Sequence, residues 1–252
     1  MPTQPSNLRN DRTSPHRPIT DLPTVGHEHR DVSGGWLRPT VFGMVDGLVS
    51  NFALIAGVAA ATSSARPVVL AGVAGLIGGA FSMGTGEYIS VKSQNESMLA
   101  EVEVERAELS SNPEAELEEL TQIYIARGVD VDLARLVAEQ LSADPVQALE
   151  IHAQEELGVD IHDLPSPQLA AASSFLSFSV GALIPLVPFL FGSRLLGVAA
   201  ALALVGLFVT GAITARFTTR QWWYAGGRQL LFGLVSAAVT YGIGHLFGAT
   251  VS

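Results

Sequence analysis

One stretch decides the fold class of this chain, residues 68–91, which read VVLAGVAGLIGGAFSMGTGEYISV. Its only charged residue is Glu87, close to the end of the stretch. About 20 mostly apolar residues are enough for an α-helix to cross the hydrocarbon core of a bilayer. The sequence therefore predicts a transmembrane helix at this position.

Other parts of the chain repeat this pattern. Residues 41–61 contain one acidic residue, Asp46, and the later apolar stretches contain no acidic or basic residue. The whole chain is only 15% charged, whereas soluble domains are about one-quarter charged. We therefore expect an all-α integral membrane protein with five transmembrane helices, at residues 41–61, 68–91, 170–191, 195–215 and 230–251.

The charges divide the chain into regions. Residues 1–34, rich in Pro, Ser, Asn and Arg, predict a disordered tail. Residues 35–91 hold helices 1 and 2, and residues 166–252 hold helices 3–5. Between them, residues 92–165 form an acidic domain, since 18 of the 24 acidic residues lie between Glu96 and Asp163. Such a domain repels nucleic acid and attracts cations.

The basic residues predict the orientation in the membrane. If the amino terminus is inside, only Arg66 and Arg194 of the 14 basic residues lie in outer loops. Lys and Arg accumulate on the cytoplasmic side of membrane proteins. We therefore place the tail and the acidic domain in the cytoplasm and the carboxyl terminus outside. Short loops and the absence of Cys favour a bacterial-type plasma membrane.

The acidic domain reads as a set of helices. The first continues from the second span to about Leu109, and Asn112-Pro113 is a typical start for the next, which should stop at Gly128. A third begins near Asp130, and Asp144-Pro145 opens a last helix, which Gly158 closes.

Acidic side chains in this domain recur at helical spacing. Like charges at such spacing destabilise an isolated helix, so their accumulation requires a reason. One interpretation is a solvated acidic face. The other is a carboxylate cage for divalent cations such as Mn²⁺ and Fe²⁺, to which an imidazole could contribute. The residues concerned are Glu101, Glu105, Glu108, Glu116, Glu119, His152 and Glu156.

Two predicted spans contain groups that could bind a metal. Asp46 lies in the first span. Burying a carboxylate in the bilayer costs free energy, so such a residue is by default a functional candidate. The alternative is that Asp46 lies near the inner interface and is hydrated. Met83 and Glu87 are four residues apart in the second span and face the same way. A thioether beside carboxylates favours Fe²⁺ over Mg²⁺ or Ca²⁺, whereas Met alone more often fills a core.

Small residues recur every four positions in the first two spans. They are Gly43 and Gly47, then Ala71, Gly75 and Gly79. Such stripes let helix backbones approach closely in lipid. They are compatible both with packing inside one subunit and with a seam between two copies.

Several motifs, taken in order, resemble the vacuolar iron transporter family, which includes iron and manganese transporters of plant and yeast vacuoles and bacterial relatives. The resemblance extends from about residue 35 to the end of the chain. The motifs are Asp46-Gly-Leu-Val-Ser-Asn-Phe52, Phe81-Ser-Met-Gly-Thr-Gly-Glu-Tyr-Ile-Ser90, the Glu-rich residues 101–119, Glu156-Leu-Gly158 and Gly181-Ala-Leu-Ile-Pro185.

The resemblance implies a homodimer with five spans per subunit and a cytoplasmic metal-binding domain. It also implies exchange of metal for protons that removes metal from the cytoplasm. An Asp and a Met on the ion path of the family match Asp46 and Met83. The cytoplasmic carboxylates of the family match Glu105, Glu108, Glu116, Glu119 and Glu156.

Two departures from the plant-type pattern are visible. Some plant-type members have Glu where this chain has Gly75. This chain therefore lacks one candidate proton carrier, and Glu87 could take its place. The same members also have a Met pair where this chain reads His152-Ala153. The second change exchanges sulfur for imidazole, so the preference for iron over manganese is open.

The sequence thus predicts a transporter and not an enzyme, with no resident cofactor. Its cargo would be Fe²⁺ or Mn²⁺, with Co²⁺ and Zn²⁺ as further candidates, and its partners would be protons, the lipid bilayer and a second copy, with no nucleic acid. A membrane-anchored metal buffer or sensor is the alternative. An intramembrane metallohydrolase is not favoured, because the sequence has no His-Glu-x-x-His motif.

Overall fold

The computed structural model describes residues 35–62, 64–192 and 195–251, with side chains described as far as residue 239 apart from 237. The predicted disordered tail lies outside these residues. The described chain is helical and contains no strand. Its helices are α1 (Leu37–Ala61), α2 (Ala65–Ser111), α3 (Pro113–Ala126), α4 (Val131–Leu141), α5 (Pro145–Glu155), α6 (Pro167–Leu190), α7 (Leu196–Thr214) and α8 (Trp222–Val251), with a short 3-10 helix at Ala215–Phe217.

Four of the helices in the described part of the chain are long and apolar enough to cross a membrane. They are α1, α2, α6 and α7 with its 3-10 extension. The fifth predicted span falls in α8, whose side chains after residue 239 lie outside the described residues. Four spans are therefore supported, and the fifth stays a prediction.

Helix α6 packs against α1 through glycines. A side chain on Gly43 or Gly47 would collide with the α6 backbone near Ser174 and Phe178, and one on Gly181 would collide with the α1 backbone near Met44. Only glycine allows two helix backbones to approach this closely. In α2, Gly79 meets the Phe178 ring. These small residues thus serve packing within one subunit.

The apolar core of the membrane helices lies where α1 packs against α6. One cluster joins Ile55, Val68, Leu186 and Phe189 with Ala199. Close packing of this kind replaces lipid contacts with protein contacts and fixes the positions of polar groups on α1 and α2.

The acidic domain consists of the second half of α2 together with α3, α4 and α5. Asp130 and Asp144 cap α4 and α5 by accepting hydrogen bonds from the amides of Asp132 and Val146. Gly128 and Gly158 follow α3 and α5 with φ angles of +91° and +65°, which glycine adopts without strain. The predicted helix starts and stops in this domain are confirmed to within about three residues.

The structure gives α4 a different buried face from the one that its leucines suggest. Leu133 and Leu136 are 54% and 62% exposed, whereas Ala134 and Ala138 are fully buried. The small residues let α4 lie close to its neighbours, because large side chains would hold the helix away. Leu133 and Leu136 consequently face outward.

Contacts at one end of the spans show which helix ends lie beside the acidic domain. Asn95 of α2 donates a hydrogen bond of 2.9 Å to the backbone oxygen of Pro165, just before α6. Trp36, just before α1, stacks edge-on against Phe217, with ring centroids 5.7 Å apart. A Cβ atom added to Gly35, just before Trp36, would lie 3.3 Å from Pro165 Cβ, which joins these two contacts. The start of α1, the start of α6 and the end of α7 therefore lie on the side of the acidic domain.

Candidate metal centres

Three helices bring a set of metal-binding side chains together in the acidic domain. We call Glu105, Glu116, His152 and Glu156 the Glu/His cluster. One ligand atom from each residue lies within 4.8 Å of those of the others. Glu105 comes from α2, Glu116 from the first turn of α3, and His152 and Glu156 from the end of α5.

The imidazole of His152 lies at the centre of the cluster. Its Nδ1 is 2.7 Å from Glu156 Oε1, 3.0 Å from Glu105 Oε1 and 3.6 Å from Glu116 Oε2. One ring nitrogen cannot satisfy three carboxylates at once. Glu105 Oε1 accordingly has no hydrogen-bond partner of acceptable geometry among the described residues.

The Glu/His cluster is buried at His152 and Glu116 and half-buried at Glu105 and Glu156, unlike a solvated acidic face. His152 is 0% exposed and Glu116 is 7% exposed. The second ring nitrogen of His152, Nε2, is also buried and has no hydrogen-bond partner among the described residues. Buried polar atoms are normally paired, so the unpaired Glu105 Oε1 among these carboxylates indicates a site for a ligand.

The electrostatics of the Glu/His cluster point to a cation. Burial raises the pKa of Glu105, Glu116 and Glu156 above the ordinary value, because desolvation disfavours the charged carboxylate. Neighbouring carboxylates, among them that of Glu119, raise these pKa values further, and His152 offsets part of the effect. A divalent cation would neutralise this crowding. Three carboxylates and one imidazole suit Mn²⁺, Fe²⁺, Co²⁺ or Zn²⁺.

Three of the predicted carboxylates lie outside the cluster. Glu101, Glu108 and Glu119 are exposed, and Glu108 Oε2 accepts a 2.8 Å hydrogen bond from Asn112 Nδ2. His152, on the other hand, lies inside the cluster. This agrees with the interpretation in which an imidazole contributes to a carboxylate cage. The structure thus brings together three of the five family-type carboxylates and adds the imidazole.

A second set of donors lines a cavity among the membrane helices. This Asp46 cavity has a volume of about 310 Å³, and both Asp46 and Met83 line it. Its other polar lining residues are Ser50, Asn51 and Ser82. Glu87 is partly buried on α2 and does not line this cavity. The lining combines carboxylate, amide, hydroxyl and thioether groups.

Asn51 is a lining residue that the sequence patterns did not single out. It is five positions after Asp46, and residues share a helix face when they are three or four positions apart. Its side chain is nevertheless 2% exposed, and its Nδ2 donates a 2.7 Å hydrogen bond to the backbone oxygen of Ala182 on α6. The sequence feature that could have indicated Asn51 is a polar amide side chain within an otherwise apolar span.

Comparison with known proteins assigns the family. The sequence profile of the VIT family matches residues 37–245. The chain belongs to the VIT family. The matched range includes the residues of both the Glu/His cluster and the Asp46 cavity.

Relatives in the VIT family match most of this chain. The vacuolar iron transporter of Acanthamoeba castellanii is 38% identical over 228 residues, which are 88% of this chain and 83% of that protein. Vacuolar iron transporter 1 of Oryza sativa subsp. japonica is 30% identical over 223 residues, which are 86% of this chain and 88% of that protein. Vacuolar iron transporter 1 of Arabidopsis thaliana is 28% identical over 220 residues, 85% and 87% of the two chains.

The VIT family is a family of membrane transporters, which is a non-enzymatic function. The predicted resemblance is thereby confirmed. Membership in the VIT family also removes the metallohydrolase alternative.

Proposed function

We propose that this VIT protein moves divalent transition-metal ions, Fe²⁺ or Mn²⁺, out of the cytoplasm across a bilayer in exchange for protons, as a homodimer. The names of its relatives, which are vacuolar iron transporters, support iron as a cargo. The oxygen and nitrogen donors of the Glu/His cluster suit manganese equally well and leave Co²⁺ and Zn²⁺ as further cargo.

The observation that carries this proposal is the presence of two donor sets along one helix. Helix α2 runs without interruption from Ala65 to Ser111 and holds Met83 at the Asp46 cavity and Glu105 in the Glu/His cluster. At 1.5 Å per residue these positions are about 33 Å apart. A collecting site outside the spans and a second site among them are the two ends of a transport path.

The proposed direction follows from the orientation. The contacts of Asn95 and Trp36 put the ends of α1, α6 and α7 on the side of the acidic domain. Arg38, Lys92 and Arg216 lie near these ends. Because basic residues accumulate on the cytoplasmic side, we place the Glu/His cluster in the cytoplasm of a bacterial-type cell, with the amino terminus on the same side.

Proton exchange is supported by the protonation chemistry of the cluster. Burial and mutual repulsion raise the pKa of Glu105, Glu116 and Glu156, so these carboxylates hold protons at a higher pH than exposed ones. Metal binding requires the charged form and therefore releases protons. Asp46 would strip part of the hydration of the ion at the cavity, and Glu87 is a candidate carrier of the returning proton.

The test is metal flux into proteoliposomes that contain the purified protein. Uptake of ⁵⁵Fe²⁺ and ⁵⁴Mn²⁺ is measured with and without an imposed proton gradient, together with the internal pH. We expect metal uptake accompanied by proton movement in the opposite direction. Tight metal binding without flux would instead establish a buffer or sensor, for which the Glu/His cluster alone would be sufficient.

A further inference from the structure

The side chain of Asn51 is held in one orientation. Its Nδ2 donates to the Ala182 backbone oxygen at 2.7 Å, and that oxygen can only accept a hydrogen bond. The amide therefore cannot be turned around without losing the bond. This fixes the carbonyl atom Oδ1 on the side of Asn51 that faces α2.

The Oδ1 atom of Asn51 is buried and unpaired. It has no hydrogen-bond partner among the described residues, although the side chain is 2% exposed. On α2 it faces Gly75, where an added Cβ atom would lie 2.7 Å from it. A side chain at position 75 would thus collide with this oxygen, and glycine leaves room beside it on the α2 side.

The surroundings of this oxygen are those of a cation site. Asn51 lines the same cavity as Asp46 and Met83. An unpaired amide oxygen within a membrane span is expensive unless something compensates it. Amide carbonyl oxygens are good ligands for hard and borderline divalent cations, and they add no charge to the site.

We propose that Asn51 is a ligand of the transported metal ion in the membrane, with Oδ1 binding the ion together with the Asp46 carboxylate and the Met83 thioether. The proposal rests on the proposed function, because it concerns the cargo of the same path. The hydrogen bond to Ala182 holds the oxygen in place before the ion arrives, so little ordering is required on binding.

The experiment measures Mn²⁺ binding at the cavity alone. Full-length protein in nanodiscs carries Glu105→Gln and Glu116→Gln to weaken the Glu/His cluster, and the Asp46-dependent part of Mn²⁺ binding is recorded. Asn51→Leu removes the oxygen at similar volume, and Asn51→Asp keeps an oxygen at that place. The control is Ser174→Ala, because the hydroxyl of Ser174 is also buried without a hydrogen-bond partner in the described part of the chain but does not line the cavity.

We expect Asn51→Leu to weaken this Mn²⁺ binding by about 10-fold or more. Asn51→Asp should bind within about 3-fold of the parent or more tightly, because an anionic oxygen replaces a neutral one. Ser174→Ala should leave the affinity unchanged. As a readout that needs no Asn51 variant, electron–nuclear double resonance of bound Mn²⁺ in protein labelled with ¹³C at asparagine Cγ should show a ¹³C coupling.

Two results would overturn the assignment in distinguishable ways. Asp46-dependent Mn²⁺ binding that Asn51→Leu leaves intact, with no ¹³C coupling, would show that Asn51 serves only structure or water, and the transport proposal would stand. If the parent has no Asp46-dependent Mn²⁺ binding and the wild type has no flux, both proposals fail. If Asn51→Leu does not fold, the ¹³C coupling decides the question by itself.

Discussion

Glu116 and Glu119 lie on the same helix, three residues apart, yet their environments differ. Glu116 is buried beside His152, whereas Glu119 is exposed and acts on the cluster only through its charge. Helical spacing predicts that both can face one site. It cannot predict which of the two a neighbouring helix will cover.

This difference predicts unequal effects on metal binding. Glu116→Gln should weaken Mn²⁺ binding to the purified protein by about 10-fold or more, because a ligand is lost from a buried site. The matched variant Glu119→Gln should change it by less than about 3-fold, since screened surface charges contribute little. Isothermal titration measures both, and equal losses would show that Glu119 is also a ligand.

Several of the donors that the sequence singled out lie together in the structure. Asp46 and Met83 line one cavity, and Glu105, Glu116, His152 and Glu156 converge. The sequence did not indicate Asn51, because its place in the cavity depends on the hydrogen bond to Ala182, 131 residues away. A contact between such distant residues leaves no local pattern.

At the scale of elements, α2, α3 and α5 assemble the Glu/His cluster at an electrostatic cost. The folded state raises the pKa of Glu105, Glu116 and Glu156, so it binds protons more readily than the unfolded chain. Such groups contribute stability below their unfolded pKa, and this contribution is lost as the pH rises through the folded pKa.

The metal-free protein should therefore melt at a higher temperature in mildly acidic solution than at neutral pH. The expected shift is a few degrees, since about 1 kcal/mol corresponds to roughly 2–4 °C in a chain of this size. Melting curves in detergent at several pH values measure it. Glu116→Gln should flatten the dependence, and Mn²⁺ should stabilise the protein at neutral pH. A melting temperature that rises with pH across this range would contradict the predicted direction of the pH dependence.

The packing of α1 on α6 gives a second prediction at this scale. Gly47→Ala should destabilise the protein by about 1–3 kcal/mol, because its Cβ would overlap the α6 backbone at Phe178. Gly57→Ala on the same helix is the matched control, since nothing lies within 4 Å of its added Cβ. Thermal unfolding in detergent compares them. Equal melting temperatures would show that α1 and α6 are not packed through Gly47.

Helix boundaries were predictable, but helix faces were not. Asn112-Pro113 and Asp144-Pro145 indicated the starts of α3 and α5, because Pro and capping residues act locally. In α4, Leu133 and Leu136 point outward whereas Ala134 and Ala138 point inward, since the closeness of neighbouring helices decides which side is buried. That distance is a property of the tertiary structure.

At the scale of the whole molecule, the exposed apolar side chains of the acidic domain support the proposed homodimer. Val131, Leu133, Leu136 and Val146 are each more than half exposed, although they lie outside the four membrane-spanning segments. Large apolar side chains exposed to water are typical of surfaces that bind a partner. A second copy is the partner that the family resemblance implies.

The mass of the purified protein tests this association. The chain has a mass of 26.5 kDa, so a homodimer contains 2 × 26.5 = 53 kDa of protein. Native mass spectrometry from detergent or nanodiscs should give that value across a range of protein concentrations. A single species at the mass of one chain would contradict the dimer.

The central claim is that the Asp46 cavity lies on a path along which metal crosses the membrane. The most direct measurement is ⁵⁴Mn²⁺ flux into proteoliposomes with the wild type and with Asp46→Asn, which keeps the volume of the side chain and removes its charge. We predict that Asp46→Asn lowers flux by about 10-fold or more, with Mn²⁺ binding at the Glu/His cluster unchanged. Wild-type flux in a folded, inserted Asp46→Asn protein would contradict the account, because the ion would then cross elsewhere.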